Sequence, residues 1–286
     1  SKKEVGIKLP TCDVETIYVP CKNANELYWM KQLHSMVNFP QVTIDNVDQA
    51  IGILKSEEKG VFPIITACKQ MCTLPSTVSQ KVTKKWGDLS TYAIIDQQAL
   101  KEHLAQHSVG NYSSKVVHVC KKIIERKSKG SKIIFAHYRK EILEYQKILT
   151  REGFSVRILD GTTKKPDRKS ILSMGTLEEK DCIFPTDLVS EINTYLICDI
   201  LIVQIKSGCE GLNLQAFNEV YFTSPHWNPA VYDQAVARVH RIGQKNSVNI
   251  FRFISTLPSG VDGITIDQYT HNVQTAKRSL LDIFKK

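Results

Sequence analysis

Gln234, Arg238 and Arg241 fall at spacings of four and three within the stretch Trp227 to Gln244. On a helix those spacings put all three side chains on one face. Two guanidiniums and an amide converging on one patch suit the spread negative charge of a phosphoryl group in transfer. The plain alternative is a solvated basic helix. Upstream, the loop from Gln204 to Gln215 carries Gly208 and Gly211 around a polar turn beside Lys206. Such glycines let backbone amides approach a phosphate and the lysine adds charge, although the pattern alone also fits an ordinary tight turn. Cys209 in that loop has no His and acid partner nearby in sequence, so it is not read as a nucleophile. Cys68 with Cys72, and His103 with His107, have separations compatible with zinc ligands. The two cysteines lie in an apolar helical pattern where buried thiols are the expected outcome, and no metal site is assigned. Trp29 and Trp86 are read as packing residues.

The elements that must hold these groups can be traced along the chain. Glu15 to Val19 alternates as a strand, and Asn25 to Leu33 is amphipathic, with a cap near Asn23 or Asn25. Helical patterns follow over Val47 to Leu54, Ile64 to Cys72 and Gln97 to His107. After Gly110 the character changes: Ser113 and Ser114 can cap a helix that Gly130 ends. Lys132 to Ala136 is a β-branched run, Glu141 to Thr150 a helix stopped by Gly153, and Phe154 to Leu159 a second strand. Further apolar runs at Ile200–Ile205, Val220–Thr223 and Val248–Ile254 alternate with helical stretches, which predicts a mostly parallel sheet covered by helices. In such a sheet the loops beyond the carboxyl ends of the strands carry the ligand groups. In the arginine-bearing segment Asn228 caps, Pro229 takes the first helical position, and Gly243 is expected to stop the helix.

Composition bounds the reading. The 286 residues carry 38 Lys+Arg against 29 Asp+Glu, a formal charge of +9, with 42% hydrophobic residues. That excludes a disordered chain or a disulfide mini-fold and suggests one or two domains. The longest apolar stretch, Tyr195 to Ile205, is broken by Asp199 and is too short to span a bilayer. Eight scattered cysteines are expected to be reduced thiols in an intracellular compartment. The opening Ser1-Lys2-Lys3-Glu4 has neither an initiator Met nor an apolar signal core and reads as a cut from something larger. Nine cations against Glu125 alone lie between Lys115 and Lys140, either the footprint of a polyanion or a solvated face.

The strings Ser207-Gly208-Cys209-Glu210-Gly211-Leu212-Asn213-Leu214-Gln215, Trp227-Asn228-Pro229 and Gln234-Ala235-Val236-Ala237-Arg238-Val239-His240-Arg241-Ile242-Gly243-Gln244 resemble helicase motifs five and six of the Swi/Snf-type DNA translocases, in helicase superfamily two. Lys132 to Tyr138 resembles motif four, and Leu159-Asp160-Gly161-Thr162-Thr163 with Arg168 resembles the following block. Leu9-Pro10, Glu26-Leu27-Tyr28 and Cys72-Thr73-Leu74-Pro75 match weaker landmarks, so the likeness spans nearly the whole chain, densely from 111 to 254.

The resemblance implies an α/β, RecA-like parallel sheet with flanking helices: linker and helical protrusion over 1–110, the C-terminal RecA-like lobe over 111–258, and a brace helix within 259–286. It implies arginine fingers at Arg238 and Arg241, γ-phosphate sensing by Gln234, and a nucleotide-side loop shaped by Gly208, Glu210, Gly211 and Asn213. DNA-backbone contacts would come from His137, Tyr138, Gly161, Thr162, Lys206, Ser207 and Trp227. ATP and Mg²⁺ would be held mainly by an N-terminal lobe. The sequence has no Gly, four residues, Gly-Lys-Ser/Thr pattern and no Asp-Glu pair, so the chain alone is expected to be inactive. Implied partners are double-stranded DNA and that lobe, with a larger complex left open and no membrane; the implied location is the nucleus in a eukaryote and otherwise the cytoplasm. About thirty residues from Ser170 to Asp199 look inserted. A non-catalytic nucleic-acid or protein-binding module, or a strand-separating helicase, are the competing readings.

Overall fold

A computed structural model describes residues 9–35, 37, 39–55, 61–76, 78, 113–164, 166, 199–205 and 212–283. Its strands are β1 (Cys12–Pro20), β2 (Lys132–Ala136), β3 (Val156–Leu159), β4 (Ile200–Gln204), β5 (Glu219–Phe222) and β6 (Val248–Thr256). Its helices are α1 (Ala24–Ser35), α2 (Val47–Lys55), α3 (Val61–Thr73), α4 (Ser114–Glu125), α5 (Arg139–Arg151), α6 (Pro229–Val239) and α7 (Ile266–Ile283). The expected helix at Gln97–His107, together with Trp86 and the 170–198 part of the insertion, lies outside the described residues. Among the described residues no helix is long and apolar enough to cross a membrane.

The six strands form one sheet in the order β1-β6-β5-β2-β4-β3. β2 pairs in parallel with β4 (Lys132 opposite Ile200) and with β5 (Lys132 opposite Glu219). β3 with β4 and β5 with β6 are parallel too. The Val248 N–H donates to the Thr11 carbonyl and the Cys21 N–H to the Thr256 carbonyl, so β1 runs the same way. This is the parallel sheet that the apolar runs predict and the RecA-like architecture that the resemblance implies. The cause is visible in β2 and β5, which are buried at every position: strands covered on both faces read as continuous apolar runs rather than alternation. Parallel direction places the loops after Ala136, Leu159, Gln204 and Phe222 at one edge of the sheet.

Two compact units divide the chain. The first comprises residues 1–16, 120–223 and 228–252; its core joins Ile133, Phe135, Leu201, Val203, Val220 and Phe222 of the sheet to Tyr232, Ala235 and Val239 of α6. The second comprises residues 17–119, 224–227 and 253–286, with a core of Trp29, Met30, Leu33, Cys68, Cys72, Ile266 and Tyr269. There α3 packs on α1 and α7, and the Tyr269 hydroxyl donates to the Ala50 carbonyl of α2 at 2.8 Å. Asn23 proves to be the cap of α1, accepting the Glu26 N–H.

The basic run over 115–140 holds several internal charges. In the second unit Lys115 pairs with Asp267, both almost fully buried. In the first, the Arg126 Nε donates to buried Glu219 at 2.8 Å, Lys132 lies 3.6 Å from the same carboxylate, and Lys122 pairs with Glu15 at 2.9 Å. These cations balance acids that the sequence places far away, so counting them as a polyanion footprint overstates the surface charge.

Candidate functional site

Helix α6 begins as its residues dictate. Asn228 Oδ1 accepts the Ala230 N–H at 2.9 Å and Pro229 fills the first turn, where a missing N–H costs nothing. Tyr232, Ala235 and Val239 are buried against the sheet, leaving Gln234 exposed and Arg238 half-exposed one turn apart on the other side. The helix ends at Val239, earlier than Gly243. The His240 ring nitrogen Nε2 lies 2.8 Å from the Pro10 carbonyl, and the terminal carbonyls of Arg238 and Val239 accept from Leu214 N and Gln244 Nε2. Satisfied by loop donors, those carbonyls need no further helical turn. Arg241 therefore sits in the exposed turn beyond the helix, and the one-face spacing expected from the sequence reaches only from Gln234 to Arg238. The side chains of Gln234, Arg238 and Arg241 make no hydrogen bond or ion pair with any described residue. Two guanidiniums with no counter-charge among the described residues are suited to an incoming anion.

Gly243 closes the turn with φ +99°, a conformation that disfavours a side chain, and a Cβ there would stand 3.0 Å from Gln215 Nε2. That Gln215 amide donates to the Ile242 carbonyl. Asn213 Oδ1 accepts the Gln215 N–H at 3.4 Å, a local turn that shapes the segment leaving the glycine loop. Lys206, Ser207, Gly208, Cys209, Glu210 and Gly211 lie outside the described residues.

At the end of β2, His137 and Tyr138 enter α5. Their backbone N–H groups both donate to Glu141 Oε2, at 3.0 and 3.2 Å, and Glu141 Oε1 accepts the Thr223 hydroxyl at 2.5 Å. Gln204 at the end of β4 donates to the His137 carbonyl at 3.3 Å. The ends of three neighbouring strands are thus tied through one buried carboxylate and one amide. Sequence reasoning missed Glu141, although a glutamate three residues past a helix cap is a signal available in the string.

After β3, Asp160 Oδ1 accepts the Thr162 N–H at 2.8 Å and the Thr162 hydroxyl at 2.7 Å, and Arg139 lies 3.9 Å from the same carboxylate. Burial raises the Asp160 pKa, but these donors outweigh it and hold it below the ordinary carboxylate range. Gly161 and Thr162 are thereby presented to solvent. Trp227 belongs to the second unit, where its ring, 38% exposed, is edge-on to Tyr269 and 5.5 Å from the Lys69 ammonium. Cys68 and Cys72 are fully buried; the Cys72 sulfur lies 3.8 Å from His34 Nε2, while His103 and His107 lie outside the described residues. Among the described residues no group of three or more His, Cys, Asp or Glu is placed to hold a metal.

Residues 114–243 match the helicase conserved C-terminal domain. DNA repair protein RAD5A of Arabidopsis thaliana is 33% identical over 170 residues, which is 59% of this chain and 14% of that protein. A putative SWI/SNF-related matrix-associated actin-dependent regulator of chromatin subfamily A member 3-like 1, also of Arabidopsis thaliana, is 32% identical over 123 residues, 43% of this chain and 12% of that protein. Residues 114–243 are thus a helicase C-terminal domain, similar to those of DNA-repair and SWI/SNF-related proteins. The crystal structure of the C-terminal part of the Fun30 ATPase domain shares its fold, with a TM-score of 0.54 at 18% identity, over 96% of this chain and 99% of that one. The chain spans about one seventh or less of the length of the two plant relatives.

Proposed function

We propose that this chain is the second lobe of an ATP-driven motor that tracks along double-stranded DNA, with its protrusion over 1–110, lobe over 111–258 and brace over 259–286. The observation that carries the reading is that Arg238 and Arg241, at and just beyond the end of a helix packed on the RecA-like sheet, have no counter-charge among the described residues. When a first lobe brings ATP against this edge, the two guanidiniums stabilise the charge that spreads over the departing γ-phosphoryl group, and Gln234 reports its presence. ATP hydrolysis supplies the chemistry that drives opening and closing. Gly208, Glu210, Gly211 and Asn213 shape the adjoining loop. ATP and Mg²⁺ are assigned mainly to the first lobe.

DNA is gripped by its backbone, which carries no sequence information. His137, Tyr138, Gly161 and Thr162 flank the carboxyl edge of the sheet, and Lys206, Ser207 and Trp227 complete the assignment. Relatives named for DNA repair and chromatin support an intracellular and, in a eukaryote, nuclear site of action within a larger machine.

The test compares the ATPase rate of the full-length protein with that of this chain, with and without duplex DNA, at stated salt because phosphate contacts weaken as salt rises. A DNA-stimulated full-length protein beside a silent chain supports the motor. A full-length protein silent on every DNA form would make the chain a binding module, and displacement of a strand from a tailed duplex would make it a helicase that separates strands.

A further inference from the structure

Gln244 is buried although its neighbours Arg241, Gly243 and Lys245 are exposed. Its Nε2 faces three backbone carbonyls: Gln215 at 3.0 Å, Phe217 at 3.2 Å and Val239 at 3.2 Å. Its Oε1 accepts the Asn246 N–H at 3.0 Å. An amide nitrogen has two protons to give, so its donor capacity is fully used, and the Asn246 bond fixes which end is nitrogen. Backbone bonds extend the clamp. The Gln244 N–H donates to the Arg241 carbonyl at 3.0 Å, closing the turn that contains Gly243, and the Leu214 N–H donates to the Arg238 carbonyl at 3.2 Å. The segment 214–217, which follows the glycine loop, is thus fastened to both arginine-bearing positions.

We propose that Gln244 is a positioning residue for ATP hydrolysis: its side-chain amide holds the Arg241 turn in register with the segment that follows the glycine loop. The proposal rests on the arginine-finger reading of Arg241. An exposed arginine in a turn beyond a helix would otherwise wander, and a shift of about 1 Å in a catalytic group can cost on the order of a hundredfold in rate. A carboxylate in place of the amide would face three carbonyl oxygens and push the turn away.

The experiment measures DNA-stimulated ATPase of the full-length protein for Gln244→Ala, Gln244→Glu, Arg241→Ala and the Gln244→Ala/Arg241→Ala double variant, with thermal melts and duplex-DNA affinity alongside. The expected result is a kcat lowered about tenfold or more in Gln244→Ala, further in Gln244→Glu, with DNA affinity little changed. In the Arg241→Ala background the Gln244→Ala change should cost nothing more, because a residue that acts through another has no separate effect. A full additive loss in the double variant, or wild-type kcat in Gln244→Ala beside a silent Arg241→Ala, overturns the proposal. Wild-type turnover in Arg241→Ala overturns the finger reading instead, and the proposal with it. If Gln244→Ala loses its cooperative melt, Gln215→Ala decides: it removes one half-exposed amide from the Ile242 carbonyl. A smaller kcat loss that vanishes in the Arg241→Ala background supports the clamp, and unchanged kcat overturns it.

Discussion

Glu141 accepts the Thr223 hydroxyl at 2.5 Å across 82 residues of sequence, while its other oxygen accepts the His137 and Tyr138 N–H groups. One buried carboxylate therefore satisfies donors at the ends of β2 and β5 that the sheet ladder leaves open. Hydrogen bonds to a charged group contribute roughly 1.5–3 kcal/mol each.

Glu141→Ala is accordingly expected to destabilise the chain by about 3 kcal/mol, since three donors lose a buried acceptor. Urea denaturation monitored by circular dichroism checks this. A loss within ~0.5 kcal/mol, the range of ordinary surface substitutions, would contradict the clamp.

Lys115 and Asp267 supply a second test. The Lys115 ammonium also donates to the Ser224 hydroxyl at 2.8 Å, and the Asp267 carboxylate accepts the Ser255 N–H at 3.2 Å. Asp267→Ala leaves an uncompensated buried ammonium and should cost about 3–5 kcal/mol. Changing both residues, Lys115→Met with Asp267→Leu, should recover most of that loss because no lone charge remains. A double variant as unstable as Asp267→Ala would show that the pair acts through packing rather than charge.

His34 predicts a pH dependence. Burial lowers its pKa from the ordinary 6.5 to about 4, against an opposing hydrogen bond to the Met30 carbonyl. Between those values the unfolded chain binds the proton and the folded chain does not. Stability contributed by neutral His34 is therefore present above about pH 6.5 and is lost as pH falls towards 4, by about 3 kcal/mol over the window. Denaturation midpoints at pH 7 and pH 4.5 should differ more for the wild type than for His34→Gln. Parallel curves for the two proteins would rule the mechanism out.

What the sequence revealed and concealed follows from how far apart the interacting residues lie. The apolar runs of β2, β4 and β5 and the Asn228-Pro229 start of α6 are written in adjacent residues, so the parallel sheet and the helix onset are readable. The end of α6 is not: the sequence offers Gly243 as the stop, but the partners that end the helix at Val239 include the Pro10 carbonyl, 230 positions away from His240. In sequence the charges of Lys115, Arg126 and Lys132 read as surface; in the fold Asp267 lies beside the first and Glu219 beside the other two. Glu141 and Gln244 were visible as letters in recognisable strings, yet their partners, and hence their roles as clamps, exist only in the folded chain.

The most direct test of the account is the DNA-stimulated ATPase rate of the full-length protein carrying Arg238→Ala or Arg241→Ala, measured with duplex-DNA affinity on the same preparations. The account predicts that each substitution lowers turnover on the order of 10³-fold, the scale of a lost arginine finger, while DNA binding stays nearly intact. Turnover at the wild-type rate in both variants would contradict it.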